Sequence, residues 1–162
     1  MTMQTDVQAT YIKSSGVLAT PFPCRLKGCA VTSATSSLRN VAACDPSTVE
    51  SGTYSQTSTT ATITITNHGL TNGQRVFVDF TTGTSRDGVY AITYIDANSF
   101  SVTTANSVST SGNVNVYPDI YMELDTYSTV GLSVLVPGEG IYCKGGLFFG
   151  VGPSVTAQIY WG

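Results

Sequence analysis

His68 is the one imidazole in the sequence, so any Ser-His-Asp hydrolase chemistry would depend on it. Many such hydrolases place the serine nucleophile in a Gly-x-Ser-x-Gly turn, and the sequence contains no such turn. His68 stands instead in Asn67-His68-Gly69, a turn signal that backbone requirements explain without any chemistry. We therefore expect His68 to be structural and not catalytic.

Glu123 and Asp125 are the most suggestive carboxylate pair, because residues two apart on a strand share one face. A glycosidase uses two carboxylates across a sugar cleft. Neighbouring acids on one strand more often form a solvated edge that blocks unwanted strand pairing. With Asp119, a weak calcium site is an alternative, although nothing resembles an EF-hand loop. We expect no enzyme, and no catalytic, cofactor-binding or metal residue.

Four cysteines, Cys24, Cys29, Cys44 and Cys143, raise the question of zinc or disulfides. Structural zinc sites need two closely spaced Cys or Cys/His pairs, and here Cys24 and Cys29 have no second pair. Thiols stay reduced in a cytoplasm, and free cysteine packs as a small hydrophobic residue. We expect core thiols, and a bridge formed late, after cell lysis, is the alternative.

Charge and hydropathy argue against two classes of partner. The chain carries seven Lys and Arg against ten Asp and Glu, whereas nucleic-acid binding needs clustered cations to release counterions from phosphates. No run of about 18 apolar residues is present to cross a membrane. The opening Met1–Thr5 has neither the basic nor the apolar part of a signal peptide. We expect synthesis in a host cytoplasm, with no nucleic-acid or membrane partner.

Composition and periodicity predict an all-β protein. Charged residues make up only 10% of the chain, which disfavours helices, because their exposed faces normally carry Lys and Glu. Apolar and polar residues alternate in short runs such as 7–11, 76–80 and 120–124. Turn signals such as Asn72-Gly73 and Asp87-Gly88 separate these runs. Short strands at this spacing favour a sandwich or a small barrel, with no helix.

Two proline-containing segments, Asp45-Pro46-Ser47 and Tyr117-Pro118-Asp119, mark candidate boundaries because proline interrupts a strand ladder. Between them, residues 53–66 are mostly Ser and Thr, a linker-like stretch that becomes a strand at about Thr60. From there to about Val116 the pattern predicts four or five short strands with hairpin turns, enough for a compact barrel.

These boundaries predict a discontinuous organisation. Residues 1–52 and 118–162 would form a β-sandwich of jelly-roll or immunoglobulin-like type that serves assembly. Residues 53–117 would form a small inserted β-barrel. Such an insertion costs little when the ends of the module lie close together.

The two outer segments hold more aromatic residues than a small core needs, and protein interfaces are enriched in Tyr and Trp. Leu147-Phe148-Phe149 on a strand must face both ways, so one side of that strand needs a second partner. Tyr160-Trp161 lies at a terminus, which frays unless something pins it. These features predict contacts with other subunits. The candidate assembly-interface residues are Phe22, Leu147, Phe148, Phe149, Tyr160 and Trp161.

Four stretches of the insert carry a resemblance: Ala61–Leu70, Gly73–Val76, Gly88–Ile92 and Asn98–Val102. In this order they resemble a repeated phage structural module. They are also similar to the small β-barrel subdomain beside the first catalytic-cysteine half-domain of ubiquitin-activating enzymes. The resemblance implies a scaffold, and since no cysteine lies between residues 53 and 117, conjugating activity does not carry over.

The outer segments carry a second resemblance. Val7–Gly16, Cys24–Gly28, Leu135–Ile141 and Ser154–Gly162 look like the corresponding parts of small tailed-phage virion proteins of the capsid-decoration type. This resemblance implies a small all-β sandwich that is built into the virion.

Together these observations favour a virion structural protein, a capsid decoration or cement protein that binds the major capsid protein or other virion proteins. We expect a homo-oligomer located in the virion. The alternative is a tail appendage or fibre subunit that binds a host surface receptor, with Tyr90 and Tyr94 as candidates for stacking on sugar rings.

Overall fold

The computed structural model describes residues 7–13, 17–35, 39–126 and 131–162; residues 1–6 of the predicted outer domain lie outside this range. Within it the protein is all-β, as predicted, apart from the single 3-10 turn Pro46–Thr48. The strands are β1 (Gln8–Ile12), β2 (Val17–Thr20), β3 (Cys24–Ser33), β4 (Arg39–Cys44), β5 (Glu50–Thr57), β6 (Thr60–Thr64), β7 (Arg75–Asp79), β8 (Gly88–Ala91), β9 (Thr93–Asp96), β10 (Ser99–Thr103), β11 (Thr110–Tyr117), β12 (Ile120–Thr126), β13 (Leu132–Leu135), β14 (Ile141–Cys143), β15 (Leu147–Val151) and β16 (Val155–Trp161).

Two antiparallel sheets pack face to face as a sandwich. The first sheet has the order β1-β16-β3-β13, and β14 also pairs with β3. The second sheet has the order β12-β4-β15-β2. Leu26 and Ile159 of the first sheet and Val41 and Phe149 of the second are fully buried in the core between them. Each such side chain contributes about 1.5–3 kcal/mol through burial.

The third sheet has seven strands in the order β8-β7-β11-β5-β6-β10-β9, all from residues 50–117. Alternate residues point into its interior, as the apolar alternation predicted: Val76 and Val78 on β7, and Val114 and Val116 on β11. The sheet is nearly closed and barrel-like, which confirms the predicted fold class of a sandwich with a small barrel.

One bent chain segment closes the barrel. β8 and β9 lie at the two edges of the sheet, yet only Ile92 separates them in sequence. The Ile92 amide donates to the Gln74 carbonyl at 3.0 Å and its own carbonyl accepts from the Gly73 amide at 2.9 Å. The next residue, Thr93, pairs with β10 instead. The segment therefore contacts both edges and leaves little free edge for aggregation.

The predicted linker at 53–59 is instead most of strand β5, which corrects the sequence-based interpretation. Inward-facing Tyr54 and Gln56 are buried although their neighbours are Ser and Thr. The Gln56 amide nitrogen lies 2.7 Å from Thr104 Oγ1 and from the Ser58 and Asn106 carbonyl oxygens. Such satisfied hydrogen bonds allow a polar side chain to occupy a barrel interior.

The barrel rests on the side of the second sheet that faces away from the sandwich core. A separate apolar cluster fills this junction, with Ala42, Cys44 and Phe148 from the sandwich and Phe77, Val89 and Tyr117 from the barrel. The Tyr117 and Phe148 rings stack with centroids 4.0 Å apart. A Cβ atom on Gly150 would lie 2.2 Å from the Phe77 ring, so only glycine permits this close approach.

The chain crosses between sandwich and barrel twice, and the crossings are adjacent. The Asp45 amide donates to the Asp119 carbonyl at 2.9 Å. Asp45 also caps the 3-10 turn that leads to β5, accepting from the Ser47 amide at 2.8 Å. The predicted division into an outer domain and an inserted domain as separate units stays a prediction.

Candidate assembly surface

We call the solvent-facing side of the first sheet the outer face. Two cross-strand rows run over it. One row consists of Ala9, Tyr160, Gly28 and Leu135, and the next consists of Tyr11, Gln158, Ala30 and Ser133. This face therefore combines apolar residues with short polar ones across four strands.

The apolar alternation of β1 points outward. Val7 and Tyr11 are exposed, and Ala9 lies between them on the same side, whereas Ile12 is fully buried in the core. A strand with one solvated face normally turns its apolar residues inward. The apolar residues 7, 9 and 11 therefore lie on the solvated side of the sheet, which alternation in the sequence does not reveal because it does not show which side faces the core.

Three large side chains of the outer face are strongly exposed: Tyr11 at 64%, Leu135 at 78% and Tyr142 at 55%. The Arg25 guanidinium lies 5.5 Å from the centre of the Tyr142 ring. Lys27 Nζ donates to the Glu139 carbonyl at 3.0 Å, so the cation is held at the margin of the face. The result is an apolar surface with charged residues at one end, where Arg25, Lys27 and Glu139 line one depression.

Small residues in the central strand shape the surface. Gly28 approaches β13 so closely that a Cβ atom would lie 2.5 Å from the Val134 carbonyl oxygen. Ala30, two residues further on, adds only a methyl group. Tyr160 and Leu135 pair with Gly28 from its two sides, so the strand between these two large residues has no side chain of its own at that point.

Three of the predicted interface residues reach the surface to different extents. Phe22 is 71% exposed in the turn between β2 and β3, where its amide donates to Thr20 Oγ1 at 3.1 Å. Tyr160 is partly buried on the outer face. Trp161 turns inward against the sandwich core, and its Nε1 donates to Thr10 Oγ1 at 3.0 Å. The chain's own β1 and β3 thus hold the C-terminal strand.

Leu147, Phe148 and Phe149 are buried within the chain, so their assignment to a surface between subunits is wrong. The premise that they face both ways is confirmed, because Leu147 and Phe149 enter the sandwich core while Phe148 enters the junction. The second partner is the barrel of the same chain. The sequence thus indicated that the second side of β15 is covered, but it did not indicate that the barrel of the same chain covers it.

A cleft of about 740 Å³ lies beside the junction. Asp45 lies at its margin and accepts hydrogen bonds from Ser47 Oγ at 2.6 Å and from Tyr121 at 2.6 Å. Burial alone would raise the pKa of Asp45, but hydrogen bonds from Ser47, Tyr121 and Gly145 outweigh it and lower the pKa below its ordinary value. These contacts give Asp45 a structural role at the crossing.

Glu123 and Asp125 both have partners on other strands. Glu123 forms a bidentate ion pair with Arg75 of the barrel, and its Oε2 accepts from Arg75 Nε at 3.0 Å. Asp125 Oδ1 accepts from the Asn40 side-chain Nδ2 at 2.5 Å. The pair therefore connects sandwich strand β12 to β7 and β4. Since Arg75 is half exposed, the ion pair contributes at most about 1 kcal/mol.

His68 is buried in the barrel and both ring nitrogens have backbone partners. Nε2 donates to the Asp96 carbonyl at 2.9 Å, and Nδ1 accepts from the Leu70 amide at 3.0 Å. Its ring also packs edge-on against Phe100, with centroids 5.1 Å apart. This arrangement fixes one neutral tautomer and agrees with the structural role expected of Asn67-His68-Gly69.

The four cysteines are buried and free, as expected for core thiols. In the part of the chain that the structure describes, no group of three or more His, Cys, Asp or Glu residues is placed to hold a metal ion. Of the sugar-stacking candidates, Tyr90 is buried in the barrel and donates to the Arg86 carbonyl, whereas Tyr94 is 45% exposed.

No protein-family model matches the chain, and no curated protein matches it either. Among solved structures it is similar to a chain described as "Phage phi92 endosialidase", with 21% identity and a TM-score of 0.31. The match covers 80% of this chain and 20% of that chain, so this chain spans about a fifth of that protein's length. A likeness this low carries no argument about function.

The comparisons give no support to the resemblance between the insert and the subdomain of ubiquitin-activating enzymes. Across residues 7–13, 17–35, 39–126 and 131–162, the structure contains no helix with the length and apolar character needed to cross a membrane.

Proposed function

We propose that this protein is a structural component of a tailed-phage virion and decorates the capsid by binding the major capsid protein through the outer face. The observation that carries the proposal is the exposure of Tyr11, Leu135 and Tyr142 on one sheet face, which no described residue of the chain covers. Large exposed apolar side chains that share one face of a sheet favour an interaction site on that face.

The relative position of the two modules supports this orientation. The barrel covers the second sheet, and the outer face belongs to the first sheet on the opposite side of the sandwich. A protein bound through the outer face would therefore carry its barrel away from the capsid. The barrel is nearly closed, which protects backbone amides from new strand pairing in the medium.

The charge at the margin of the outer face favours one kind of contact. Arg25 and Lys27 lie beside the apolar rows, and the positions that form these rows carry no acidic side chain. An acidic rim around an apolar patch on the shell protein would complement them. We also propose contacts between neighbouring copies, with the free edge of β1 available for them.

The test is binding to purified particles that lack this protein. Replacing Tyr11 and Leu135 by Ser removes two large groups from the outer face, and we expect co-sedimentation affinity to fall by about tenfold or more. The matched control replaces Tyr94 and Ile95, exposed by 45% and 52% on the barrel, by Ser. Unchanged binding of the outer-face variant, or an equal loss in the control, would overturn the proposal.

A second candidate function, a tail appendage that binds a host glycan, has one observation in its favour. A depression of about 280 Å³ on the barrel is lined by Asn67, His68, Gly69, Leu70, Tyr94 and Ala97. Exposed Tyr94 offers a ring face for stacking against a sugar. Glycan-array binding that Tyr94→Ala abolishes would favour this function. Cryo-electron microscopy that places the protein on the capsid surface would favour the first.

A further inference from the structure

Cys24 and Cys143 face each other across two neighbouring strands. They are direct partners in the antiparallel register of β3 and β14. Both side chains enter the sandwich core, and the Cys143 thiol donates to the Ile141 carbonyl at 3.5 Å. Directly opposed residues have Cβ atoms about 4.5–5.5 Å apart, and a disulfide needs about 3.5–4.5 Å. A small movement of one strand edge is enough to close the gap.

The other two cysteines have no cysteine opposite them. Cys29 pairs with Val134 and Ile159 on its two sides. Cys44 pairs with Ile120 and Phe148. Of the four free thiols, only those of Cys24 and Cys143 therefore lie directly opposite each other on neighbouring strands.

Cys24 lies nearer to the surface than Cys143. Cys24 is 7% exposed and lines a depression of about 290 Å³ together with Pro23, Arg25 and Tyr142. Cys143 is fully buried behind it. The short strand β14 has β3 as its strand partner, so a local opening at the edge of the sheet exposes both sulfur atoms.

We propose that Cys24 and Cys143 form a cross-strand disulfide when the protein meets a small disulfide in an oxidising medium. The Cys24 thiolate attacks one sulfur of that disulfide, whose S–S bond breaks and releases one thiol. The Cys143 thiolate then attacks the Cys24 sulfur of the mixed disulfide and releases the second thiol. Two protein thiols are oxidised, one disulfide is reduced, and the two protons go to the released thiolates.

The burial of the two thiols slows the formation of the disulfide, and the long loop that it closes makes the oxidised protein more stable. Burial raises the pKa of both thiols, that of Cys143 to about 12, so the reactive thiolates are scarce at neutral pH. The rate should therefore increase as the pH rises. The closed loop from 24 to 143 includes both crossings and the entire barrel. Such a long loop predicts a midpoint of thermal unfolding raised by about 5–10 °C.

The experiment incubates the full chain with oxidised glutathione at about pH 8.5, near the ordinary pKa of a thiol. Remaining thiols are alkylated, and peptides are mapped by mass spectrometry without reduction. We expect a peptide pair joined through Cys24 and Cys143, and two free thiols, at Cys29 and Cys44. Cys24→Ala should abolish the cross-link and the gain in unfolding temperature, whereas the matched Cys29→Ala should keep both.

Mapping the unaltered chain does not depend on whether either variant folds. Four thiols still free after prolonged oxidation, or a cross-link through Cys29 or Cys44, would overturn the inference. Neither result bears on capsid binding, so this inference and the proposed function can fail separately.

Discussion

The two sheets of the sandwich both present apolar side chains away from the shared core, but the described residues of the chain cover only one of these surfaces. On the second sheet, Phe148 is 5% exposed because Phe77 and Tyr117 of the barrel pack against it. On the first sheet, Leu135 is 78% exposed. A strand with apolar side chains on both faces therefore does not by itself indicate a partner protein, because the second face can be covered by another part of the same chain.

We expect the largest effect from removing the barrel, which covers the second sheet. Replacing residues 50–117 by a short Gly linker joins the two crossings, which a 2.9 Å hydrogen bond between Asp45 and Asp119 already holds together. We expect the shortened chain to self-associate through the uncovered face around Phe148, because large exposed apolar patches drive association. Sedimentation velocity measures this directly.

Adding Phe148→Ser to the shortened chain is the control and should reduce the self-association. A shortened chain that stays monomeric with Phe148 intact would mean that the covered face has no greater need of a partner than the outer face. In parallel, cooperative unfolding of an isolated 50–117 segment would support the predicted domain division.

A single substitution at the covered face should cost far more than one at the outer face. Phe77 is fully buried, and its ring leaves space only for glycine at position 150. We expect Phe77→Ala to lower the free energy of unfolding by about 3–5 kcal/mol. Leu135→Ala should change it by no more than about 0.5 kcal/mol. Urea denaturation measures both, and equal costs would contradict the assignment of covered and open faces.

Asp45 stabilises the crossing between the sandwich and the barrel, and its contribution depends on pH. Its folded-state pKa is lowered, so the stability it contributes is present above the unfolded-state pKa and is lost as the pH falls through the folded value. We expect Asp45→Asn to cost about 1–2 kcal/mol near pH 7, because hydrogen bonds to a carboxylate become weaker ones to an amide.

This difference should shrink in acid, where the wild-type carboxyl is also neutral. Thermal unfolding of both proteins as a function of pH provides the check, with Asp119→Asn as a control on the neighbouring crossing. A cost that does not change with pH would contradict the role of the charge.

For Glu50 we expect the smallest effect on stability, and its pH dependence is opposite in sign to that of Asp45. The Oε2 atom of Glu50 is buried without a hydrogen-bond partner, and burial raises the pKa of Glu50. A raised folded-state pKa gives stability below the ordinary value that is lost as the pH rises through the folded one. Glu50→Gln should therefore raise the unfolding temperature slightly near pH 7 and leave it unchanged near pH 4. Exposed Glu139→Gln should have no effect at either pH.

Local patterns predicted the strands well where alternation and burial agree. Val76 and Val78 enter the barrel as their spacing indicates, and the prolines at 46 and 118 flank the two crossings. The alternation of apolar and polar residues did not predict a strand where a polar side chain is buried. β5 looks like a linker because its buried Gln56 depends on acceptors that come from residues 104 and 106, far along the chain.

The candidate surface was harder to predict for the same reason. Tyr11 alternates correctly for a strand, but composition does not show that Ile12 and not Tyr11 faces the core. At 120–124, a register shift between Ile120 and Met122 divides one apolar run between the junction and the sandwich core. These choices depend on which distant strand lies opposite, and that information is not local.

The adjacency of the two crossings at Asp45 and Asp119 has an evolutionary and practical consequence. A segment that leaves and returns at neighbouring points does not set the order of the strands around it. We therefore expect that the segment between residues 49 and 118 can be exchanged for another polypeptide whose ends lie equally close, as long as that polypeptide supplies an apolar cover for Phe148. Such an exchange would replace the barrel and leave the outer face of the first sheet unchanged.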